Sequence, residues 1–328
     1  MASILLIGAG IAGLTAAREL TKQGHTVTVL DKGRGVGGRM ATRRIDQSRA
    51  DHGAQYFTAQ SAQFQTFVEE LVGQGITGIW PVKASADTAL HYVGCDGMSA
   101  IPKYIAQSLT VMTGERVVRI EKITHESGNG WRAISETGKT FDADNLLITI
   151  PAPQALTLLR ESDIGSDEVD LVALGAIQYS PCITVMAVLN RPSHIPTPGA
   201  IRPDQSPIAW VADNLQKGIS PTQTALTIQA GVDFSQTHFD DDLMTIGQTL
   251  IDLLPDLIPA TDILTYQVHR WRYGFAQVCH PESFLTANTP APLLFGGDGF
   301  GNSFNNIEGA FLSGLAMAEH LLDQLPRN

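Results

Sequence analysis

The chain has 328 residues, 43% hydrophobic and 17% charged, so it can bury sizeable cores without staples and corresponds to roughly two domains by the ~150-residue norm. Its 22 Lys and Arg stand against 33 Asp and Glu, a formal charge of −11 at pH 7 that opposes broad contact with nucleic acid or anionic lipid. The three scattered cysteines, Cys95, Cys182 and Cys279, suggest neither a disulfide framework nor a metal site, and they fit a reducing, cytoplasmic setting.

Residues 3–7, SILLI, are a continuous apolar run and predict a buried strand. GAGIAG follows, and Ile11, Leu14, Ala17 and Leu20 then recur near helical period until Gly24. HTVTVL is a second apolar run ending at Asp31. Strand, helix and strand joined by a short crossover predict a parallel sheet covered on both faces. The apolar N-terminus has no basic n-region and no cleavage signal, so it reads as a strand rather than a signal peptide. Further along, the pattern predicts a helix over 64–73, short strands within 79–96 and a helix from Met98 to Leu109 with Pro102 in its first turn. Strands follow at 116–123, 131–135 and 145–150, then at 183–189, 208–212, 225–231 and 264–271, with a helix near 240–253. LLFGGD after Pro292 is one more buried strand, and 306–325 is a long helix. The weakly charged stretch 171–190 is broken by Gln178, Ser180 and Pro181, and no membrane span is predicted.

Gly8, Gly10 and Gly13 form G-x-G-x-x-G between a predicted strand and a predicted helix. Gly8 allows a tight turn, Gly10 lets backbone approach a pyrophosphate, and Gly13 permits close helix packing, while the helix N-terminus offers amide donors. Asp31 ends the next strand, where an acceptor binds ribose hydroxyls. The segment DKGRGVGGR at 31–39 extends this pattern: Gly33, Gly35, Gly37 and Gly38 lead to Arg39, whose guanidinium suits a pyrophosphate. A nicotinamide-binding unit does not need that extension.

Together these segments resemble the extended signature of the flavin-containing amine oxidase superfamily, and noncovalent FAD is the expected cofactor. DHGAQYF at 51–57, RWRY at 270–273 and GGDGFGNSFNNIEGAFLSG at 296–314 extend the resemblance to the renalase-like family over nearly the whole chain. The resemblance implies an α/β fold: a Rossmann-like FAD-binding domain with a mixed-sheet α+β substrate domain. The expected division is 1–80, 111–150 and 287–328 for the FAD domain, with 81–110 and 151–286 contributing the substrate domain. It also implies that Ala12, Lys32 and Gly38 join Gly8, Gly10, Gly13, Asp31 and Arg39 at the cofactor. Ala54 and Gln55 would lie at the flavin, Val117 would meet the adenine through its backbone, Asp298 the ribityl or pyrophosphate portion, and the backbone at Ile307 the pyrimidine edge. Glu308, near the start of an apolar helix, reads equally well as a helix-capping acid.

The redox step belongs to the flavin, so no side chain is assigned as a catalytic acid or base. Many amine oxidases use a lysine near the flavin, but residues 151–328 contain only Lys217, in a polar, glycine-flanked stretch that reads as surface charge. Renalase-like proteins are associated with oxidation of the 1,2- and 1,6-dihydro isomers of NAD(P) to NAD(P)+, with dioxygen reduced to hydrogen peroxide. Such a donor needs little proton abstraction. Candidate substrate contacts are Tyr56, Phe57, Thr58, Asp96, Gly97, Met98, Thr184 and Asn305; an aromatic pair such as Tyr56 and Phe57 equally suits simple core. RWRY alternates Arg270 and Arg272 with Trp271 and Tyr273, so one strand face can meet an anion or pair with surface acid. His52 reads as a satisfied loop histidine or as facing the cofactor. The alternatives are an amine oxidase or desaturase for another small donor, and an FAD-binding redox sensor with little turnover. No metal ligand pattern, nucleic-acid partner or membrane partner is expected.

Overall fold

The computed structural model describes residues 1–82, 89–125, 128–204, 207–301 and 306–325. The chain divides into two compact units: 1–38, 102–178 and 276–328 form one, and 39–101 with 179–275 form the other. Residues 39–80 thus group with the second unit, and 102–110 and 151–178 with the first, at boundaries other than those expected from sequence.

The first unit is built on a six-stranded sheet in the order Leu285–Thr286, Leu293–Phe295, Asn145–Ile148, Ser3–Ile7, Thr26–Asp31 and Thr110–Thr113. All neighbouring pairs are parallel except the first, which is antiparallel. Every residue of Asn145–Ile148 and Leu293–Phe295 is buried, as expected for strands covered on both faces. The Ile11–Lys22 helix buries Ile11, Leu14, Ala17 and Leu20. It packs against the Ile307–Gln324 helix so closely that a Cβ on Gly314 would stand 2.2 Å from the Ala12 carbonyl oxygen. A separate antiparallel sheet, Thr140–Ala143, Gly128–Ser135 and Val117–His125, fills the interruption before Asn145–Ile148. Helices Ala152–Glu161 and Leu171–Ala176 follow; no apolar periodicity announces the first beyond Ala155, Leu158 and Leu159, its buried face.

The second unit is organised on a five-stranded sheet in the order Ala200–Ile201, Ile208–Asp213, Ala225–Ala230, Gln178–Leu189 and Ile263–Val278. Helix Leu243–Asp252 covers one face, where Ile246, Leu250 and Ile251 meet Ile183, Val185, Leu226 and Ile228. Asp242 caps this helix through the Thr245 amide at 2.9 Å. The hairpin Thr42–Ile45 and Ser48–Asp51 contributes Ile45 and Ala50 to a second cluster with Met186, Val188 and Ala225. Both sheet faces are therefore occupied, which explains why all six residues of Ala225–Ala230 are buried. Helix Ala62–Gly73, capped by Ser61, buries Phe64, Phe67, Val68 and Leu71. Among the described residues, no helix is long and apolar enough to cross a membrane.

Candidate functional site

In the first unit the glycine turn joins Ser3–Ile7 to Ile11–Lys22. Gly8 has φ +114° and its amide donates to the Leu30 carbonyl at 2.8 Å. A Cβ at Gly13 would lie 2.1 Å from the Gly8 carbonyl oxygen, so only glycine permits the helix to start there. A Cβ at Gly10 would meet nothing within 4 Å. The turn thus leaves open space at the residue where the dinucleotide pattern needs backbone to approach a phosphate.

Asp31 does more than the motif predicts. Its carboxylate accepts the Ala9 amide at 2.7 Å and the Gly33 amide at 2.6 Å, tying the glycine turn to the following loop. Each carboxylate oxygen keeps a further lone pair for a ribose hydroxyl. Gly37 donates to the Ala9 carbonyl at 2.8 Å, so the second glycine run folds back on the first. Gly38 (φ +52°) brings its Cβ position within 3.8 Å of the Gly10 Cα. Thr149, which the motif analysis missed, donates its hydroxyl to the Gly8 carbonyl at 3.0 Å and supports the turn from the Asn145–Ile148 strand.

The other predicted cofactor positions of this unit fall on connected elements. Lys32 is exposed and donates to Gln154, and Ala12 lies at the helix contact. Val117 begins a strand two residues after Glu115, whose amide donates to the Asp31 carbonyl at 2.9 Å. Asp298 is 9% exposed and directly follows Gly297 (φ +135°), whose amide donates to the Ser313 hydroxyl. Ile307 opens the last helix, capped by the Asn306 side chain, which accepts the Gly309 amide at 3.2 Å. Glu308 is fully buried in that first turn. Asn305 lies outside the described residues.

In the second unit, Arg39 donates to the Tyr273 carbonyl at 3.2 Å and stands 5.7 Å over the Tyr179 ring. The 51–55 segment is clamped at every step. The Ala54 amide donates to the Arg39 carbonyl. Gln55 Nε2 donates to the Asp51 and Gly53 carbonyls at 2.7 and 3.1 Å, and Gln229 Nε2 donates to Gly53 at 2.7 Å. That arrangement leaves Gln55 Oε1 buried without a partner among the described residues. A buried, unpaired acceptor held by two bonds on its own amide nitrogen fits a ligand that brings an N–H.

The largest departure from the sequence reading is Lys217. Its side chain is fully buried, not on the surface: Nζ is 2.7 Å from Asp51 Oδ2 and 5.0 Å over the Trp80 ring. Asp51 Oδ1 accepts the Thr42 hydroxyl at 2.6 Å and the Met98 amide at 2.9 Å. Asn214 receives the Asp51 amide and donates to Ala225 and Thr227. Burial pushes the Lys217 ammonium below its ordinary pKa, against the opposing pull of Asp51.

This network also places several candidate substrate residues. Met98 is fully buried, and Gly97 (φ +93°) lies where a Cβ would meet Thr42 Oγ1 at 2.5 Å. Asp96 is exposed and ion-paired with Arg49 at 2.7 Å. Thr184 is buried, with its hydroxyl 3.7 Å from Cys182 Sγ. Tyr56 and Phe57 diverge. Phe57 joins the aromatic core with Phe64 and Tyr92 at 5.7 and 5.6 Å, whereas Tyr56 sets its edge against His91 and Trp210 at 4.7 and 5.7 Å. Thr58 follows, half-buried.

RWRY does alternate: Arg270, half-buried, and Arg272, exposed, both stand over Phe239, at 5.8 and 4.5 Å. On the other face, Trp271 donates to the His52 carbonyl at 2.7 Å and stacks on its ring at 5.2 Å. His52 Nδ1 is buried with no partner among the described residues, while the Ala41 backbone hydrogen-bonds to the imidazole, so the ring is half satisfied.

Burial, reinforced by the charges of His269 and Arg43, pushes the His52 imidazole from 6.5 down to about 3. The unfolded chain therefore takes up a proton below pH 6.5 that the folded chain refuses. Stability from this source is fully present above pH 6.5 and falls as pH drops toward 3, by up to about 1.4 kcal/mol per pH unit. His52→Gln is expected to flatten the dependence of the urea midpoint between pH 7.5 and pH 5. A slope equal to the wild type's would assign the acid sensitivity to other groups.

Comparison with known proteins decides what this glycine-turn scaffold serves. A family model described as flavin containing amine oxidoreductase matches residues 82–322, and one for an NAD(P)-binding Rossmann-like domain matches residues 6–71. The chain belongs to the flavin-containing amine oxidoreductase family. It is an FAD-dependent oxidoreductase of renalase-like type, 26% identical to renalase of Mus musculus over 98% of this chain and 99% of that protein. Putrescine oxidase of Kocuria rosea is 37% identical over 21% of the chain. A putative protoporphyrinogen oxidase from Exiguobacterium has the same fold, with TM-score 0.73 at 13% identity over 99% of both chains. A redesigned putrescine oxidase also has TM-score 0.73, at 14% identity over 99% of both chains. The open space at Gly10 and the cradle closed by Gly8 and Gly13 fit the pyrophosphate of FAD.

Proposed function

We propose that this renalase-like flavoenzyme oxidises 1,2- and 1,6-dihydro isomers of NAD(P) to NAD(P)+, with dioxygen as the final acceptor and hydrogen peroxide as product. FAD, when bound, supplies the hydride acceptor. The chain's own task is then to hold cofactor and donor, exclude competing chemistry and fix orientation.

In this reading the first unit is the FAD-binding domain. The amides at Gly8 to Gly13 and the helix start beyond them hold pyrophosphate, Asp31 holds ribose, and Lys32 and Gly38 flank it. Val117 serves the adenine, Asp298 the ribityl or pyrophosphate portion, and Ile307 the pyrimidine edge. The second unit is the substrate domain; Arg39, Ala54 and Gln55 are assigned to the cofactor, and Tyr56 and Thr58 to the donor. FAD is held without a covalent link, and a cytoplasmic location suits the three free cysteines.

The observation that carries the substrate assignment is the engagement of Lys217. The one lysine of residues 151–328 is sealed against Asp51 rather than presented to a ligand. A dihydronicotinamide is already a strong hydride donor and needs no base to remove a proton. Anaerobic mixing of the FAD-loaded protein with 1,2- or 1,6-dihydro-NAD is expected to bleach the oxidised flavin within seconds, and admission of air to restore it with release of peroxide. Bleaching by an amine but by neither isomer would replace this assignment with amine oxidation, and failure of any donor to bleach the flavin would leave a binding or sensing role.

A further inference from the structure

We propose that Arg202, mounted on Trp210 and Tyr56, is a phosphate subsite that selects phosphate-bearing hydride donors; this rests on the dihydronicotinamide reading above. The guanidinium lies 5.1 Å over the Trp210 ring, and Nη2 donates to the Tyr56 hydroxyl at 3.2 Å. It is exposed, and among the described residues no carboxylate pairs with it, although the chain carries 33 acidic residues against 22 basic ones. An arginine of an acidic chain that is held on aromatic rings instead of on a carboxylate keeps most of its five N–H donors free and directed.

The mount is rigid. Trp210 is 5% exposed and meets Trp80 at 6.0 Å in a T-shaped pair, and Trp80 in turn donates its indole N–H to the Pro198 carbonyl at 2.8 Å. Tyr56 is held between His91 and Trp210. One further valence is open at this mount: Trp210 Nε1 is buried without a partner among the described residues. A neutral N–H donor and a free cation on one aromatic mount match a molecule that offers hydroxyl oxygens and a phosphate. A dihydronicotinamide nucleotide has both. A simple amine has none of the anionic part and would gain nothing from Arg202. The guanidinium fork favours phosphate through paired N–H bonds, which an ammonium at the same place reproduces only as a point charge.

The test compares wild type, Arg202→Gln and Arg202→Lys. Kinetics with 1,2-dihydro-NAD are set against the phosphate-free 1,2-dihydronicotinamide riboside, and binding of NAD+ is followed by tryptophan fluorescence and calorimetry. The expected result is a roughly tenfold fall in the dinucleotide-to-riboside preference of kcat/KM in Arg202→Gln, carried by KM, with NAD+ binding weakened about tenfold and partly restored in Arg202→Lys. A wild type bleached by both donors whose preference is the same in Arg202→Gln would overturn the subsite alone. A wild type that neither binds NAD+ nor is bleached by either donor would overturn the subsite together with the function on which it rests.

Discussion

Replacing Lys217 with Met is expected to destabilise the protein by about 3–5 kcal/mol, the cost of leaving a buried carboxylate without its cation. Asp51 has no route to solvent: its side chain and that of Lys217 are both fully buried. Its remaining partners, the Thr42 hydroxyl and the Met98 amide, are neutral donors that bring no compensating charge. Asp51→Asn should cost less, because an ammonium already pushed down by burial can discard its proton. The double replacement Lys217→Met with Asp51→Leu should recover much of the loss, since a well-packed apolar pair avoids both desolvation penalties. Urea unfolding of the four proteins measures these differences, and adding Asp51→Leu alone closes the cycle. A loss below about 1 kcal/mol in Lys217→Met would mean that the pair is neutral in the folded state.

Gly13→Ala and Gly10→Ala are expected to separate folding from cofactor retention. The new methyl at Gly13 would stand 2.1 Å from the Gly8 carbonyl oxygen and 2.7 Å from Thr149 Oγ1, so the helix start must move. A cost of about 3 kcal/mol and a colourless purified protein are expected. At Gly10 the methyl meets no protein atom within 4 Å, and Gly10 has φ −75°, which any residue adopts. Gly10→Ala should therefore leave the melting temperature of the FAD-free protein within about 1 °C of wild type while lowering FAD affinity at least tenfold, because the proposed function gives the space it fills to the pyrophosphate. Full FAD retention in Gly10→Ala would move the pyrophosphate away from this turn.

Much of the fold could be read from local patterns because those patterns have local causes. SILLI, GAGIAG and HTVTVL occur in order, and strand, turn, helix and strand form at Ser3–Ile7, Ile11–Lys22 and Thr26–Asp31. The 306–325 expectation matches Ile307–Gln324, where an apolar stripe runs long enough to show its period. The hairpin at 42–51 escaped because TRRI and SRAD carry no apolar alternation; they are strands by virtue of packing on Met186 and Val188. Thr110–Thr113 escaped because it is an edge strand with three of its four residues exposed, so no apolar alternation marks it. The helix at Ala152–Glu161 begins beside two prolines, which read as breakers but occupy its cap and first turn.

The glycine pattern, and with it the cofactor class, was determined by sequence alone, because a phosphate-binding turn is a contiguous backbone feature and its requirements are written in neighbouring residues. Pairings between distant residues were not. Asp51 and Lys217 are 166 positions apart, and Arg202 and Tyr56 are 146 apart. A lone lysine in a polar, glycine-flanked stretch has no local property that distinguishes a solvated charge from one sealed against a carboxylate. That difference lies in what the tertiary structure brings around it, and desolvation is a property of the whole neighbourhood rather than of the residue.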